Sequence, residues 1–292
     1  MIRSLVALAT IAVASLAVNA GDAGKVTISW HGQSFFLIKS TKGTIPTTLA
    51  IDPHDIPEYG RVEKLRADCV LFSHLHNDHT QKEVFINYKD KNFKVIPGLV
   101  GKGKDIKWNE VKEQFKEFRI RSVGAYHDDV EGMKNGLNTI FIIEVDGWRI
   151  VHLGDLGHTL TEEQIKKIGE VDVLLIPVGG VYTLNGSEAK KVQAQLKPRE
   201  YIIPMHYGNI RYDDLLTVDE FLDGNPATVA LSKDGGLIIN KDKSMNARFV
   251  RKSIITTDNT IVLDRDPNRP RPLLTVLHWW PQPRIGKKKT EK

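Results

Sequence analysis

Cysteine is nearly absent from this chain of 292 residues, which contains only Cys69. A single thiol cannot form an intramolecular disulfide, so the chain is not a disulfide-stapled scaffold. Cys69 opens the apolar run Cys69–Phe72, and we expect it to be a buried strand residue. Gly/Ser-rich linkers and recognisable internal repeats are also absent. The length then indicates one large domain or two small ones.

Most of the chain carries no excess of positive or of negative charge. The net charge is +5, and residues 264–292 alone hold eight Lys or Arg against three Asp or Glu. The chain before this tail is therefore neutral, which argues against a nuclease, because a nuclease presents a basic face beside its cleft. No nucleic-acid partner is expected. The basic tail either contacts an anionic surface or is solvated and disordered. Its apolar part, Leu273–Trp280, is suited to docking on the body or on a partner.

Long apolar runs are missing except at the start, where Leu5–Val18 follows a short basic segment. Val18-Asn19-Ala20 is a site that a signal peptidase could cut, so residues 1–20 are predicted to be a signal peptide. The run is too short for a stable membrane span, and an uncleaved anchor is the alternative. We therefore expect an exported protein, periplasmic or secreted, with its main domain over residues 21–263 and a tail over 264–292.

The sequence does contain a dense group of metal-binding side chains, in Ser73-His74-Leu75-His76-Asn77-Asp78-His79. Three of the ten histidines in the chain and one aspartate fall within six residues. The apolar run before them reads as a buried strand, so the group should lie at the carboxyl end of that strand or in the loop beyond it. Neutral imidazole and carboxylate suit zinc and similar divalent ions. A histidine-rich surface loop is the alternative interpretation.

Three further candidate ligands occur later in the chain. His127 lies in Gly124-Ala125-Tyr126-His127-Asp128, just before a loop rich in Gly and Asn. Asp155 follows the strand pattern 149–154, and His206 follows the strand pattern 201–205. Each of the three comes just past a buried strand, and that is where layered α/β folds place their binding sites.

In this order, the His-x-His-x-Asp-His motif, His127, Asp155 and His206 resemble the metallo-β-lactamase superfamily of hydrolases. Further segments that carry the resemblance are Trp30-His31-Gly32-Gln33-Ser34-Phe35-Phe36, Ile51-Asp52-Pro53, Ile176-Pro177-Val178-Gly179-Gly180 and Ile203-Pro204-Met205-His206-Tyr207-Gly208. They are similar to the branch that contains the ascorbate-6-phosphate lactonases and, more distantly, N-acyl-phosphatidylethanolamine phospholipase D. The resemblance covers about residues 25–240. It implies a four-layer αββα sandwich, of class α+β or α/β, with a metal cleft along one edge.

The resemblance also implies two metal ions and their ligands. One ion is assigned His74, His76 and His127. The second is assigned Asp78, His79 and His206, and Asp155 bridges both. Two divalent ions held about 3.5–4 Å apart can share a hydroxide and polarise the substrate without a Ser or Cys nucleophile. Asp155 would offset the repulsion between the cations and Asp78 would orient the hydroxide, so both are catalytic candidates. Zinc is expected, with manganese or iron as alternatives. No cysteine stands at a ligand position, which disfavours β-lactam hydrolysis.

Several residues are candidates for contact with the ligands or the substrate. Relatives commonly carry His where this chain has Gln33, which can donate a hydrogen bond but cannot shuttle a proton near neutral pH. His31 could substitute, and a half-exposed strand residue is the simpler interpretation. Asp52 either forms a turn before proline or orients a ligand histidine. His152 is expected to be a hydrogen-bonded core residue. The remaining candidates, each of which could instead be an ordinary loop residue, are His158, Tyr182 and Thr183.

Secondary structure is predicted from apolar runs and end signals. The predicted strands are Val26–Ser29, Phe35–Ile38, Thr48–Ile51, Val70–Phe72, Ile140–Val145, Arg149–Leu153, Val173–Ile176, Tyr201–Ile203, Thr228–Ala230 and Gly236–Ile239. Helices are predicted near residues 107–116, 161–169 and 187–196. Thr161 and Gln164 form a capping-box signature for the second helix, and Ser187 is the expected N-cap of the third.

Two functional hypotheses follow from these residues. The complete ligand set favours an exported hydrolase that cleaves an ester, lactone or phosphodiester bond of a small molecule with a metal-bridging hydroxide. The alternative is a non-catalytic exported protein that binds a metal or a ligand on the same fold. The identity of the substrate and the oligomeric state are not encoded by any motif in the sequence.

Overall fold

A computed structural model describes residues 24–59, 65–208, 213–232, 237–239, 259–265, 267–268 and 271–277. The predicted signal peptide, Gly236, His278, the Trp279–Trp280 pair and the last eight residues lie outside the described residues. Within the part of the chain that the structure describes, no helix combines the length and the apolar character needed to cross a membrane.

Seventeen strands and three α-helices make up the described fold. The first strands are β1 Val26–Trp30, β2 Phe36–Ser40, β3 Thr47–Ile51, β4 Cys69–Phe72, β5 Lys94–Pro97, β6 Leu99–Val100, β7 Lys107–Trp108 and β8 Lys112–Phe115. The others are β9 Phe118–Tyr126, β10 Leu137–Val145, β11 Trp148–His152, β12 Val173–Pro177, β13 Tyr201–Met205, β14 Thr228–Ser232, β15 Leu237–Ile239, β16 Thr260–Val262 and β17 Leu273–Thr275. The helices are α1 Glu162–Ile168, α2 Gly186–Leu196 and α3 Asp219–Leu222, and short 3₁₀ turns are Pro57–Tyr59, Asn77–His79, Lys82–Val84 and Gly103–Asp105.

Two large sheets pack face to face, and their facing residues form one core. The smaller sheet has the order β16-β1-β2-β3-β4-β5, and the larger has the order β15-β14-β17-β13-β12-β11-β10-β9-β8. Strands β8 to β11 pair antiparallel, whereas β11, β12, β13, β17 and β14 run parallel. The strands β6 and β7 form a separate small hairpin. This arrangement confirms the predicted sandwich.

The outer faces of the two sheets are covered differently. On the larger sheet, α2 buries Ala189, Val192 and Leu196, which lie on one side of the helix because their spacing is close to whole turns. On the smaller sheet, alternate strand residues such as Val70 and Phe72 point outward and pack under Phe85. Among the described residues, that cover consists of 3₁₀ turns and loops rather than α-helix.

Most of the strand predictions are confirmed, and α1 begins as expected. Thr161 and Gln164 form the predicted capping box. The N-cap of α2, however, is Asn185, which forms a capping box with Glu188, so the prediction of Ser187 as the cap is wrong. Asn accepts the backbone N–H of the third helical residue as well as Ser does, and Asn185 has the extended backbone that a cap needs.

The helix predicted near residues 107–116 is wrong, because this segment forms β7 and β8. Val111 and Phe115 have the spacing of a helix face, but β8 pairs along its length with the long strand β9. Pairing with a neighbouring strand overrides the local preference. The strand β9 was not predicted, and it is the element that delivers His127.

The described start of the apolar stretch in the tail docks on the body, which is one of the two alternatives that the sequence left open. Leu273–Thr275 forms β17, which lies between β13 and β14 and pairs parallel with both. Cys69 is fully buried in β4, as predicted, and burial raises the pKa of its thiol to about 12.

Candidate metal centre

The seven candidate ligands meet at one edge of the sandwich. His74, His76, Asp78 and His79 follow β4, His127 follows β9, Asp155 follows β11 and His206 follows β13. The strands β9 and β11 both run antiparallel to β10, and β13 runs in the same direction as β11. Their carboxyl ends therefore lie at the same edge of the larger sheet, opposite the end of β4 in the smaller one.

Asp155 lies at the centre of the group, and imidazole rings surround its Oδ2 atom. The Nε2 atoms of His79 and His206 are each 3.1 Å from this oxygen. The Nε2 atoms of His127 and His74 lie 3.4 and 3.9 Å away. One carboxylate oxygen accepts about two hydrogen bonds, so hydrogen bonding alone does not explain four rings aimed at it. A cation bound by the ring nitrogens does explain the arrangement, and the donor set of imidazole and carboxylate fits zinc or a similar ion.

Three overlapping groups of three potential ligand atoms occur here; one joins Asp52 to His74 and His79, and the other two contain predicted ligands alone. His74, His76 and His127 form one of these two, and His79, Asp155 and His206 form the other, with the ligand atoms of each group within 4.8 Å of one another. Asp78 lies beside the group that contains Asp155, since its Oδ2 is 3.4 Å from Nε2 of His79. The structure thus brings all seven predicted ligands together, and their division between two ions stays a prediction.

The ring nitrogens that face away from the centre are held by acceptors. Nδ1 of His74 is 2.9 Å from the Ser73 hydroxyl, and Nδ1 of His127 is 3.1 Å from the Tyr182 carbonyl. Nδ1 of His79 is 3.3 Å from the Asp52 carboxylate. A proton on each of these Nδ1 atoms leaves the Nε2 lone pair directed at the centre, which is how proteins orient histidine ligands.

The pKa values of the carboxylates and imidazole rings at the centre depend strongly on one another. Burial alone would raise the pKa of the Asp155 carboxyl, but the neighbouring His206, His79 and His127 rings outweigh burial and hold that pKa well below its ordinary value. Burial would likewise lower the pKa of His79, yet Asp155 and Asp52 raise it well above its usual range. The carboxylates at the centre are therefore ionised. Positive charge on the rings or on a bound ion balances them.

Asp52 is fully buried behind the cluster, and its backbone has a positive φ of 48°. Its carboxylate accepts the Ser73 backbone N–H at 2.7 Å and the Ser73 hydroxyl at 2.6 Å, in addition to facing His79. This geometry fits the interpretation of Asp52 as a support for a ligand histidine.

Gln33 lines the cleft, with its side chain 2% exposed. Its Nε2 donates to Asp78 Oδ2 at 3.4 Å, and its backbone carbonyl accepts the His206 N–H at 3.0 Å. His31 is not half-exposed, so that interpretation is wrong: the ring is 6% exposed and packs 4.9 Å from Phe35. Burial lowers the pKa of His31 to about 4.

The other candidates occupy different places. Tyr182 lines the cleft with a half-exposed ring, and the Thr183 hydroxyl lies 3.5 Å from Nδ1 of His206. His158 turns toward the backbone, where it accepts the Tyr126 N–H at 3.1 Å and its Nδ1 faces the Thr159 carbonyl. His152 is buried and bonded to the Ser34 carbonyl, as expected of a core residue.

The cleft above the ligands has a volume of about 260 Å³. It is lined by Gln33, His76, Asp78, His127, Asn135, Asp155, Tyr182 and His206. Most of these groups are polar, so the cleft is suited to a charged or polar reacting group rather than to a large apolar one.

Sequence reasoning missed three residues that position the ligands. The Ser34 hydroxyl donates to Asp155 Oδ1 at 2.8 Å, and Asn138 accepts the Asp155 N–H at 3.0 Å. Ser73 links Asp52 to His74. A Cβ at Gly154 would collide with the Asn138 amide oxygen, so glycine is required there, at a φ of +55°. Asn138 was detectable as a polar residue inside the otherwise apolar strand β10.

Comparisons with known proteins agree with this geometry. Residues 27–206 match a sequence family described as "Beta-lactamase superfamily domain". A metal-dependent hydrolase of Thermococcus onnurineus (strain NA1) is 31% identical over 192 residues, which is 60% of this chain and 83% of that protein. A metal-dependent hydrolase of Anaeromyxobacter sp. (strain K) is 32% identical over 211 residues, covering 63% of this chain and 76% of that protein.

A similar fold is found in a crystal structure from Thermotoga maritima, assigned as a zinc-dependent hydrolase of the metallo-beta-lactamase superfamily. It is 29% identical, with a TM-score of 0.54, and the match covers 86% of this chain and 98% of that one. All seven candidate ligands lie inside the segment 27–206, and His206 is its last residue.

Proposed function

The chain belongs to the beta-lactamase superfamily, and from this premise we propose that it is a hydrolase that binds two divalent metal ions. The proposed substrate is a small molecule with an ester, lactone or phosphodiester bond. Zinc is the proposed metal, with manganese and iron as alternatives, because imidazole and carboxylate ligands accept all three. Two relatives that carry the name metal-dependent hydrolase support the assignment of this chain as a hydrolase that needs a metal.

The convergence of four imidazole nitrogens on Asp155 Oδ2, at 3.1–3.9 Å, is the observation that carries the proposal. Asp155 belongs to one group of three ligand atoms, and its Oδ2 lies 3.4 and 3.9 Å from the Nε2 atoms of His127 and His74 in another. The positioning contacts of Ser73, Asp52 and the Tyr182 carbonyl support the same conclusion, since they direct the Nε2 lone pairs inward.

When bound, two divalent ions supply a water whose pKa is lowered toward neutrality and a positive charge for the oxygen of the scissile bond. The chain provides the rest of the chemistry. Asp155 places its negative charge between the two ligand groups. Asp78 is 38% exposed at the cleft, so its carboxylate can accept a hydrogen bond from a nucleophilic water and orient it. Gln33 steadies Asp78 through its amide N–H.

Metal content per chain tests the proposal directly. We expect about two ions in the wild-type protein and about one in Asp78→Ala/His79→Ala, because that variant removes two ligands of one group. As a matched control, Asp129→Ala/His158→Gln removes the same residue types outside the ligand set, and it should keep the wild-type content. One ion or none in the wild type would reject the binuclear proposal.

The reaction is tested by a panel of esters, lactones and phosphodiesters with the metal-loaded protein. Hydrolysis that disappears on chelation and returns with zinc or manganese supports the proposal. A protein that holds two ions yet hydrolyses no member of the panel would instead favour the non-catalytic alternative.

We also propose that the protein is exported. The support is the basic start, the apolar run Leu5–Val18 and the Val18-Asn19-Ala20 site. Amino-terminal sequencing of the protein recovered from outside the cytoplasm should begin at Gly21, and recovery of an uncut chain in the cytoplasm would contradict export.

A further inference from the structure

Exposed apolar side chains concentrate around the metal cleft. Within the described residues, eight large apolar side chains are exposed. Five of them lie on loops that also carry residues of the site, and they are Leu75, Met133, Val181, Tyr182 and Leu216. We call these five residues the apolar rim. Exposed apolar groups gathered in one place, rather than scattered singly, are typical of a binding surface.

The rim residues adjoin the centre through the chain and through hydrogen bonds of their loops. Leu75 stands between the ligands His74 and His76 in sequence. Tyr182 lines the cleft, and its carbonyl holds the His127 ring. Asn135, on the same loop as Met133, also lines the cleft and donates to the His127 carbonyl at 3.2 Å.

Leu216 joins the rim through backbone bonds. Its N–H donates to the Gly179 carbonyl at 2.8 Å, and its own carbonyl accepts the Gly208 N–H at 2.8 Å. Gly208 lies two residues beyond the ligand His206, and Gly179 opens the loop that continues to Tyr182. The loops after β9, β12 and β13 therefore carry four of the five rim residues together with the ligands His127 and His206.

Val181 is the most informative member of the rim. It has a φ of +59°, which a β-branched residue rarely adopts, and its side chain is 62% exposed. Glycine would fit this backbone better, and an exposed valine contributes nothing to the core. Neither the local conformation nor the packing explains a valine here, whereas a contact made from outside the protein does.

The loop that carries Met133 is held in place. Asp128 accepts four backbone N–H groups of this loop at 2.7–2.9 Å, those of Val130, Gly132, Lys134 and Asn135. Met133 is nevertheless 81% exposed. A loop fixed in this way cannot fold inward to cover its own apolar side chain.

We propose that the substrate of this hydrolase carries an apolar alkyl or aryl group beside the scissile bond, and that Val181 and Tyr182 bind this group at the mouth of the cleft. This inference rests on the proposed function. The cleft, at about 260 Å³, is smaller than the roughly 300–1,000 Å³ of pockets that enclose a whole small molecule. The polar reacting group fits inside it, so the remainder of the substrate lies on the rim.

Binding of a carboxylate series tests the inference without requiring turnover. The affinities of acetate, butyrate and octanoate for the metal-loaded full-length protein are measured by calorimetry, because these acids combine a metal-binding head with chains of increasing length. We expect octanoate to bind at least about tenfold more tightly than acetate, since each buried methylene adds affinity. In Val181→Ser/Tyr182→Ser this ratio should fall toward one.

Ile45→Ser is the matched control. Ile45 is also apolar and 77% exposed, but it lies in the turn between β2 and β3, at the opposite end of β3 from Asp52. This variant should keep the wild-type ratio of octanoate to acetate affinity.

Two results would overturn the inference. One is equal affinity for octanoate and acetate in the wild type, even if the protein hydrolyses esters. The other is an undiminished ratio in Val181→Ser/Tyr182→Ser. Failure of the proposed function looks different: the octanoate preference would be present and sensitive to the rim substitutions, yet no ester, lactone or phosphodiester would be hydrolysed.

Discussion

The two ends of the larger sheet both bury carboxylates, but they balance the charge in different ways. At the carboxyl ends of the strands, Asp155 faces imidazole rings. At the amino ends, Asp172 directly precedes β12 and Glu200 directly precedes β13, and both are at most 3% exposed. The partners of these two acids are arginines. We call the two regions the imidazole end and the arginine end.

At the arginine end the charges are already paired. Asp172 accepts Arg199 Nη2 at 2.8 Å and Arg265 Nη2 at 3.1 Å, and Glu200 accepts Arg271 Nη1 at 3.0 Å. A guanidinium is always charged, so these pairs need nothing further. Histidine is neutral when it binds a metal, so the imidazole end leaves its carboxylates to be balanced by bound cations. The comparison teaches that the partner of a buried acid, and not its burial, separates a structural cluster from a reactive one.

Removing the acid at the imidazole end should have the largest effect. In Asp155→Ala the two ligand groups lose their shared carboxylate, so we expect hydrolysis to fall at least about a thousandfold and metal content to drop below two ions per chain. Both are measured on the same purified sample. Wild-type activity in this variant would remove the binuclear mechanism.

Removing the acid at the arginine end should change stability and leave the site intact. Asp172→Ala deprives Arg199 and Arg265 of an acceptor, but these side chains are 48% and 44% exposed and regain water. We therefore expect a loss of about 2 kcal/mol in the free energy of unfolding, below the cost for a fully buried pair. Urea unfolding measures this loss. Metal content lowered as far as in Asp155→Ala would mean that the two ends are not independent.

A smaller effect is expected when a positioning contact at the imidazole end is removed. Ser73→Ala breaks the link from Asp52 to His74, so the metal affinity should fall about 10- to 100-fold without loss of a ligand. Competition with a chelator measures this affinity. Ser122→Ala is the control, because Ser122 also makes two hydrogen bonds of 2.8 Å but lies on β9 away from the centre. Equal effects of the two substitutions would show that Ser73 has no particular role at the centre.

Much of the imidazole end could be predicted from sequence, because its ligands follow buried strands. The apolar runs before His74, Asp155 and His206 are short and bounded by polar or glycine turns, which is a strong local signal. The grouping of the ligands between two ions came from the family resemblance. The arginine end gave no such signal, since Asp172 and Arg265 are 93 residues apart and only the sheet brings them together.

The failures at residues 107–116 and at His31 have a common physical cause. In both, the environment is created by a partner that the pattern of the segment itself does not show: β9 pairs with β8, and Phe35 packs on the His31 ring. The apolar periodicity of one segment does not predict which strand it pairs with, nor which residues bury a given side chain. The positioning roles of Ser34 and Asn138 escaped for the same reason, because Ser34 lies 121 residues from Asp155 in the chain.

The smallest predicted effect is a loss of stability at acid pH. It distinguishes the two ends again, since arginine does not titrate in this range and histidine does. Burial lowers the pKa of His54 from 6.5 to about 3. The folded protein holds this ring neutral, with Nδ1 accepting the Ile56 N–H at 3.1 Å, whereas the unfolded chain binds a proton below pH 6.5. The stabilisation is therefore complete above pH 6.5 and declines as the pH falls toward 3.

Between pH 7 and pH 5, His54 should account for a loss of about 1–2 kcal/mol in the free energy of unfolding. Urea unfolding of chelator-treated protein at both pH values should show a loss smaller by that amount in His54→Gln than in the wild type. The comparison of the two proteins cancels the titration of the other histidines, which both share. If His54→Gln lost as much stability as the wild type between pH 7 and pH 5, the neutral His54 ring would contribute nothing to the acid sensitivity. That sensitivity would then come from the ligand histidines.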